Sequence, residues 1–423
     1  DLCFHDCRFC GDVTLNHSHL QRLDFSGCSF SNTLKLRNAT IQGNLICDAT
    51  IFEDPNNALI ANRARIAGDV DLENVVAKGT IAMTGSDIAG DFLPQGATLL
   101  GKPALQLRNT TIGGSLIWRS LGFVDGEVDF SSASCKTIST GHKSWMRKRS
   151  DYEESRPKEA EEASPEKQNA HHVRLDNFSY TGFSNLPDNC QSDYWVEWLE
   201  QQPDEHLAEK FKPRPWEQLA SVLQSMGYEE EAMDIRVRKE RLQTTFMEKY
   251  EPPASNLKGR ALRGMNVFFR RAVWGPLVDY GYRPGNALIW LFLVILVGTA
   301  IYSFAAKQGI MTPTSPLIFK EARQGGTIPA WCAENWVYFP DENCGSAMPS
   351  EYSEFQSFIY AADVALPVVN LRMEDDWAPR VVHTDGTSNS IGWWVRTFEW
   401  FLIAAGWILS LLFVSAVGSS IRR

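Results

Sequence analysis

The sequence predicts a multidomain membrane protein that combines a parallel β-helix, an α-helical hairpin and two transmembrane helices with a re-entrant segment between them. Three patterns support this fold class. Two long apolar stretches lie near the C-terminal end, a repeated motif fills the first 135 residues, and a strongly helical stretch lies between them. The hydrophobic content of 44% is ample for folded cores in each part.

The two apolar stretches are the most direct feature of the sequence. Residues 286–306 contain no charged side chain, and neither do residues 400–421, which end a predicted helix of residues 394–421. At ~1.5 Å per residue, each stretch reaches roughly 30 Å, the thickness of a bilayer's hydrocarbon core. A buried helix of a soluble protein is the alternative, but such helices seldom run so far uncharged with Trp and Tyr near their ends. We therefore predict two transmembrane helices, with the lipid bilayer as a partner.

Charged residues around these helices predict their orientation. The connecting stretch of residues 307–393 is rich in Asp and Glu, whereas basic residues flank the two helices on their other sides. The positive-inside rule then places both termini in the cytoplasm and residues 307–393 outside, as expected for a bacterial inner-membrane protein. The flanking basic residues are Lys258, Arg260, Arg263, Arg270, Arg271, Arg283, Arg422 and Arg423.

The cysteines agree with this orientation. Cys332 and Cys344 are the only pair within the predicted outer loop, where a disulfide bond is permitted. The remaining seven cysteines lie on the predicted reducing side. We therefore expect Cys332 and Cys344 to form a disulfide bond.

A repeated motif dominates the N-terminal part of the chain. Each copy has a small residue, an apolar residue two positions later, usually a glycine two positions after that, and then alternating apolar residues. Alternation of period two, interrupted by glycine at a fixed offset, predicts short strands separated by sharp corners. Spacings of about 11 residues or twice that number predict a coil of roughly 22 residues in a β-helix of residues 1–140. The apolar positions are Phe9, Phe30, Ile41, Ile66, Ala77, Ile88, Ile112 and Val124.

This pattern resembles that of the pentapeptide-repeat and related right-handed β-helix proteins over about residues 7–135. The resemblance implies a right-handed parallel β-helix, although the motif departs from a strict five-residue period. Repeat proteins of this kind usually bind other molecules rather than catalyse reactions. We therefore expect a possible protein partner on the β-helix.

One catalytic motif competes with the structural interpretation. Cys3, Cys7 and Cys10 match the C-x3-C-x-aromatic-C pattern that holds an iron–sulfur cluster in radical S-adenosylmethionine enzymes. Those enzymes need βα units after the motif, whereas β-helix repeats follow it here, and Cys7 occupies the small position of its repeat. We therefore expect no metal and no cofactor. Because no glycine-rich phosphate loop and no convincing catalytic set emerges elsewhere, we also predict that the protein is not an enzyme.

The middle of the chain contains four predicted segments. Residues 141–172 are charged and lack large aliphatic side chains, which predicts a mobile linker, and residues 173–213 form a cap or connector. Residues 214–250 resemble one helical hairpin of the tetratricopeptide type, which would dock on the end of the β-helix or on a partner. Residues 251–285 mix basic and apolar side chains. That mixture predicts an amphipathic juxtamembrane segment on an anionic membrane surface, with a charged connector as the alternative.

The loop between the two predicted transmembrane helices contains a short apolar helix of residues 355–366, too short to cross a bilayer. The order of helix, short re-entrant helix, irregular segment and helix resembles the pore module of two-transmembrane potassium channels over residues 286–423. That resemblance implies a hinge at Gly406 and a pore loop at the place where the family has a Thr-Val-Gly-Tyr-Gly filter. Here the loop lacks glycine, so potassium selectivity of that kind is not expected. The pore-loop candidates are Leu366, Pro367, Val368, Val369, Asn370 and Leu371.

Two functions fit these features. The first is a channel-like membrane protein with cation conduction as its candidate activity, which forms a homo-oligomer and is a tetramer if channel-like. The second is a non-conducting, membrane-anchored scaffold that binds a partner through its repeat domain. The net charge of −10 argues against a nucleic-acid partner, which would favour a basic surface. A helix lying flat on the outer surface, with Asp363 in water, is the alternative to re-entry by residues 355–366.

Overall fold

The computed structural model describes residues 1–119, 122–140, 173–186, 191–250, 257–283, 285–314, 353–382 and 388–421. The chain forms two compact units, Asp1–Pro253 and Ala254–Arg423. The predicted linker of residues 141–172 and the predicted disulfide between Cys332 and Cys344 lie outside the described residues.

The first unit is a parallel β-solenoid whose coil has four faces, each a stack of short strands numbered β1 to β25 in chain order. The first face consists of β1 Leu2–Cys3, β5 Leu23–Asp24, β9 Leu45–Ile46, β13 Val70–Asp71, β17 Phe92–Leu93, β20 Thr111–Ile117, β23 Ser134–Ser139 and β25 Gly182–Ser184. The second consists of β2 Arg8–Phe9, β6 Ser29–Phe30, β10 Ile51–Phe52, β14 Val76–Ala77, β18 Thr98–Leu99 and β21 Phe123–Val124.

The third and fourth faces complete each coil. The third consists of β3 Val13–Thr14, β7 Leu34–Lys35, β11 Asn57–Ile60, β15 Thr80–Ala82, β19 Leu105–Gln106, β22 Val128–Asp129 and β24 Val173–Arg174. The fourth consists of β4 His19–Leu20, β8 Thr40–Ile41, β12 Arg65–Ile66 and β16 Asp87–Ile88. β20 and β23 are long enough to turn a corner, so each belongs to the fourth face at its start and to the first face at its end.

The interior of the solenoid is built from the apolar positions of the repeat. Equivalent residues pair in register between coils, as in Ile41 with Ile66 and Ile66 with Ile88, so like side chains stack on like. All the predicted apolar positions are buried except Phe9, in the first coil, which is partly buried. Burial of each such aliphatic or aromatic side chain stabilises the fold by about 1.5–3 kcal/mol. The prediction of a parallel β-solenoid is therefore confirmed.

The length of the coil also follows the prediction. Strand residues that pair between neighbouring coils are 21 to 25 positions apart along the chain. One connection is longer: the Thr181 hydroxyl donates to the carbonyl of Lys136 over 45 positions, and β23 pairs with β25. The stack thus resumes after residues 141–172, and residues 173–184 complete a last coil that extends the solenoid beyond residue 140.

Four helices follow the last coil: α1 Ser192–Leu199, α2 Asp204–Leu207, α3 Arg214–Ser225 and α4 Glu229–Lys249. Gly227, with a φ of +90°, separates α3 from α4. Trp195, Trp198 and Trp216 are buried, and the ring of Trp195 lies 4.6 Å from that of Phe183 in β25. The helices therefore cover the end of the solenoid and shield strand edges that would otherwise be free to pair with another chain.

The second unit contains two long apolar helices. The described elements are α5 Leu257–Phe269, a π-helical turn Arg270–Trp274, α6 Gly275–Val278, a 3-10 turn Asp279–Gly281, α7 Gly285–Lys307, β26 Met311–Pro313, α8 Ser357–Ala365, α9 Met373–Asp376, β27 Trp377–Pro379 and α10 Ser390–Ile421. Among the described residues, α7 and α10 are the two helices long and apolar enough to cross a membrane. Large side chains such as Phe292 and Leu411 are exposed along both of them.

Candidate functional site

The short helix α8 packs against the middle of both long helices. Gly298 is near the centre of α7, and a Cβ atom there would lie 3.2 Å from the Cβ of Ala361 in α8. Gly406 is central in α10, and a Cβ atom there would overlap the carbonyl group of Ala365, the last residue of α8. The missing side chains let the C-terminal end of α8 approach the centre of the two long helices.

Gly406 therefore has a packing role that the sequence did not reveal. α10 runs from Ser390 to Ile421 as one helix through this position. The close approach of the Ala365 carbonyl explains why glycine occupies position 406. A hinge at Gly406 stays a prediction.

Asp363 fixes the segment that follows α8. Its side chain is only 7% exposed, and its carboxylate accepts the backbone N–H groups of Leu371 at 2.6 Å and Glu374 at 2.9 Å. The second of these bonds joins the carboxylate to the first turn of α9, where a negative charge is favourable. Asp363 thus folds the chain back on itself, and it does not lie in water as the alternative of a flat surface helix requires.

The pore-loop candidates form the loop that α8 and Asp363 hold. Leu366 packs partly against the core between the helices. Val368, Val369 and Leu371 are exposed by 90%, 46% and 43%, and Asn370 is exposed as well. The loop therefore presents mostly apolar side chains on the outside of a single chain, at the end of a helix that reaches the middle of α7 and α10.

A short β-ladder closes this module. β26 directly follows α7 and pairs antiparallel with β27, with Met311 opposite Pro379 and Pro313 opposite Trp377. The indole N–H of Trp377 donates to the carbonyl of Ser353 at 3.1 Å. The chain after the pore-loop candidates is thus brought back to the end of α7 before α10 begins.

A buried polar cluster joins the three helices on this side of the module. Tyr302 of α7 and Tyr360 of α8 are fully buried with ring centroids 4.6 Å apart, and Glu399 of α10 is 6% exposed. Arg396 Nη1 lies 3.7 Å from Glu399 Oε2. The Tyr360 hydroxyl faces the Glu399 carboxylate, and within the described residues the Tyr302 hydroxyl has no hydrogen-bond partner. The sequence patterns did not reveal this cluster; the signal for it was Glu399, a carboxylate within the predicted helix of residues 394–421.

A second polar cluster lies where the last coil meets its helical cap. His206 in α2 is 3% exposed, and its Nε2 lies 3.7 Å from Glu205 Oε1 and 3.8 Å from Asp176 Oδ2. Burial lowers the pKa of His206 below its ordinary value, against the opposing effect of Asp176. Arg174 pairs with Glu127 at 2.8 Å beside it. These contacts hold the cap on the solenoid.

The three cysteines of the alternative catalytic motif lie exposed in the first coil, where Cys7 Sγ donates to the carbonyl of His5 at 3.2 Å. In the part of the chain that the structure describes, no group of three or more His, Cys, Asp or Glu side chains could hold a metal ion. Cys28, Cys47 and Cys135 are buried in the solenoid. Burial raises the pKa of Cys135 to about 12, so its thiol is inert.

No family model, curated protein or solved structure matches this chain significantly.

Proposed function

We propose that the chain is an integral membrane protein of the bacterial inner membrane with a channel-like C-terminal module and a cytoplasmic β-solenoid. The observation that supports it is the position of α8, whose last residue, Ala365, meets α10 at the central Gly406. If α7 and α10 span the bilayer, α8 enters it without crossing, and the loop of residues 366–371 lies at depth.

That placement has a consequence for assembly. Hydrocarbon cannot satisfy backbone N–H and C=O groups, so an irregular loop at membrane depth must line water or contact protein. In a single chain the side chain of Val368 is 90% exposed. Homo-oligomerisation around an axis next to this loop satisfies both conditions, and four copies would be needed for a pore like that of the two-transmembrane potassium channels.

The residues of the loop bear on which ions the proposed channel conducts. The loop has no glycine to allow the alternating backbone of a potassium filter, and Val368 and Val369 give it an apolar surface. The carboxylates next to it include Asp363, which accepts the N–H of Leu371, and the exposed Glu374. Negative charge of this kind concentrates cations. We therefore propose weakly selective cation conduction without potassium selectivity.

The second candidate is a non-conducting scaffold, and the solenoid favours it. Its stacked faces resemble those of pentapeptide-repeat and related β-helix proteins, which bind partners. In that case α7 and α10 only anchor the binding surface, and the loop at residues 366–371 is covered by a neighbouring protein rather than by water.

One experiment separates the two candidates. We expect purified protein to be tetrameric and to conduct cations in liposomes, and we expect Asp363→Ala to alter the flux because Leu371 and Glu374 lose their acceptor. Asp375→Ala removes an exposed carboxylate of α9 and serves as the matched control for loss of charge alone, with a smaller change in flux than Asp363→Ala. Absence of flux for several cations in tetrameric protein would reject the channel and leave the scaffold.

A further inference from the structure

α5 has an apolar face that the other described residues of its unit leave exposed. Four large side chains are exposed on it: Leu262 by 66%, Met265 by 63%, Phe268 by 67% and Phe269 by 44%. They are spaced by three, four and seven residues, so they lie on one side of a helix. Exposed apolar residues in a continuous patch mark a binding surface rather than a random surface position.

The other side of the same segment is basic. Arg260 and Arg263 are three residues apart, and Arg270 and Arg271 continue this side through the π-helical turn. Arg270 also lies over the ring of Tyr280, 5.9 Å from its centroid. No acidic residue occurs in the described residues 257–278, so every charged side chain of this segment is basic. A helix with one apolar side and one arginine side is typical of helices that lie in the surface of an anionic membrane.

An elbow attaches this helix to the two long helices. Val278 packs with Ala287 near the start of α7 and with Leu412 in the last third of α10. Two side-chain bonds strengthen the contact: Trp290 Nε1 donates to the carbonyl of Pro276 at 3.3 Å, and Asn286 Nδ2 donates to Asp279 Oδ2 at 2.9 Å. The elbow therefore lies at the end of the module opposite to Tyr302 and Glu399.

We propose that Leu257–Trp274 binds an anionic phospholipid surface, with Leu262, Met265, Phe268 and Phe269 in the apolar boundary and the arginines attracted by the lipid phosphates. The proposal rests on membrane insertion of α7 and α10 but not on ion conduction. The elbow connects α5 to α10 through the contact of Val278 with Leu412.

Hydrogen exchange of the full chain in lipid nanodiscs tests this. We expect amides of residues 257–274 to exchange about tenfold more slowly in phosphatidylglycerol-containing discs than in pure phosphatidylcholine discs. The difference should shrink in about 0.5 M salt, because salt screens the attraction. The combined variant Arg260→Gln, Arg263→Gln and Arg271→Gln should lose the lipid dependence, whereas Arg372→Gln, an exposed arginine on another segment, should keep it.

A second variant tests the contribution of the apolar face of α5 separately from that of its basic face. Leu262→Ser with Phe268→Ser should lose the protection in both kinds of disc. Equal protection in both lipids for the wild-type chain would mean that protein covers the face, and no protection in either would make the segment a solvated connector; each result overturns the proposal. A chain that fails to enter nanodiscs would overturn the membrane proposal as well, so the two failures are distinguishable.

Discussion

At the residue scale, a column of glycines fixes how closely the coils stack. A Cβ atom added to Gly43, Gly68, Gly90 or Gly114 would lie 2.8 Å from a backbone atom of the preceding coil. The same corner carries a side-chain ladder, in which Asp69 Oδ1 accepts the N–H of Asp91 at 2.8 Å. The glycine of the repeat is therefore required for close approach of one backbone to another.

The stability of the solenoid tests this requirement. We expect Gly90→Ala to lower the free energy of unfolding by about 1–3 kcal/mol, because the new methyl group collides with the backbone at Gly68 and with the Asp69 carboxylate. Gly11 occupies the same position of the repeat in the first coil, and a Cβ atom there meets nothing within 4 Å. Urea denaturation should therefore show that Gly11→Ala leaves the free energy of unfolding unchanged. An equal loss of unfolding free energy in both variants would contradict the packing argument.

At the element scale, α8 is the feature that gives the second unit its form. It is only nine residues long, so its position depends on what it packs against. Gly298 and Gly406 provide the space, and Asp363 holds the chain that leaves it. An isolated helix of this length is not stable in water, so tertiary packing supplies its stability.

Two of the three glycines of α10, Gly406 and Gly418, provide a matched test of that packing. We expect Gly406→Ala to lower the melting temperature in detergent and to speed hydrogen exchange in residues 357–376, because the methyl group displaces α8 at Ala365. Gly418→Ala lies on the same helix with open space around it and should change neither quantity. If the Gly406 variant kept both values and changed only conduction, the hinge interpretation would be favoured over packing.

At the scale of the whole molecule, the solenoid unit and the helical unit present different kinds of surface. The solenoid buries its apolar positions in its own interior and covers its last coil with helices. The helical unit leaves apolar side chains exposed on α7, on α10 and on the loop of residues 366–371. The first is the pattern of a domain in water, and the second is the pattern of a domain that needs lipid or further copies around it.

The proposed sidedness can be measured directly. Basic residues surround the start of α7, and residues 307–393 carry the acidic ones, so we expect a reporter fused after Gly309 to be exported. A reporter fused after Arg423 should stay in the cytoplasm. A cytoplasmic signal from the Gly309 fusion would contradict the topology, and with it the reducing environment proposed for the solenoid.

Much of the fold could be predicted because its determinants are periodic. The small, apolar and glycine positions of each repeat interact with the same positions one coil away, so a local pattern repeated every 21 to 25 residues specifies the stack. The long apolar stretches are equally local, since length and lack of charge are enough to predict α7 and α10. The end of the solenoid was harder to predict than its coils. Residues 141–172 separate the last coil from the repeated motif, so the prediction placed the end at residue 140.

The sequence by itself therefore determined the solenoid, the helical segments and the two apolar helices long enough to cross a membrane. Tertiary structure alone decided that Tyr302, Tyr360 and Glu399 meet, and that Ala365 lies against Gly406. The physical reason is separation along the chain. These contacts join helices whose relative rotation is fixed by packing, and no local pattern of hydrophobicity or charge encodes which faces of distant helices will touch.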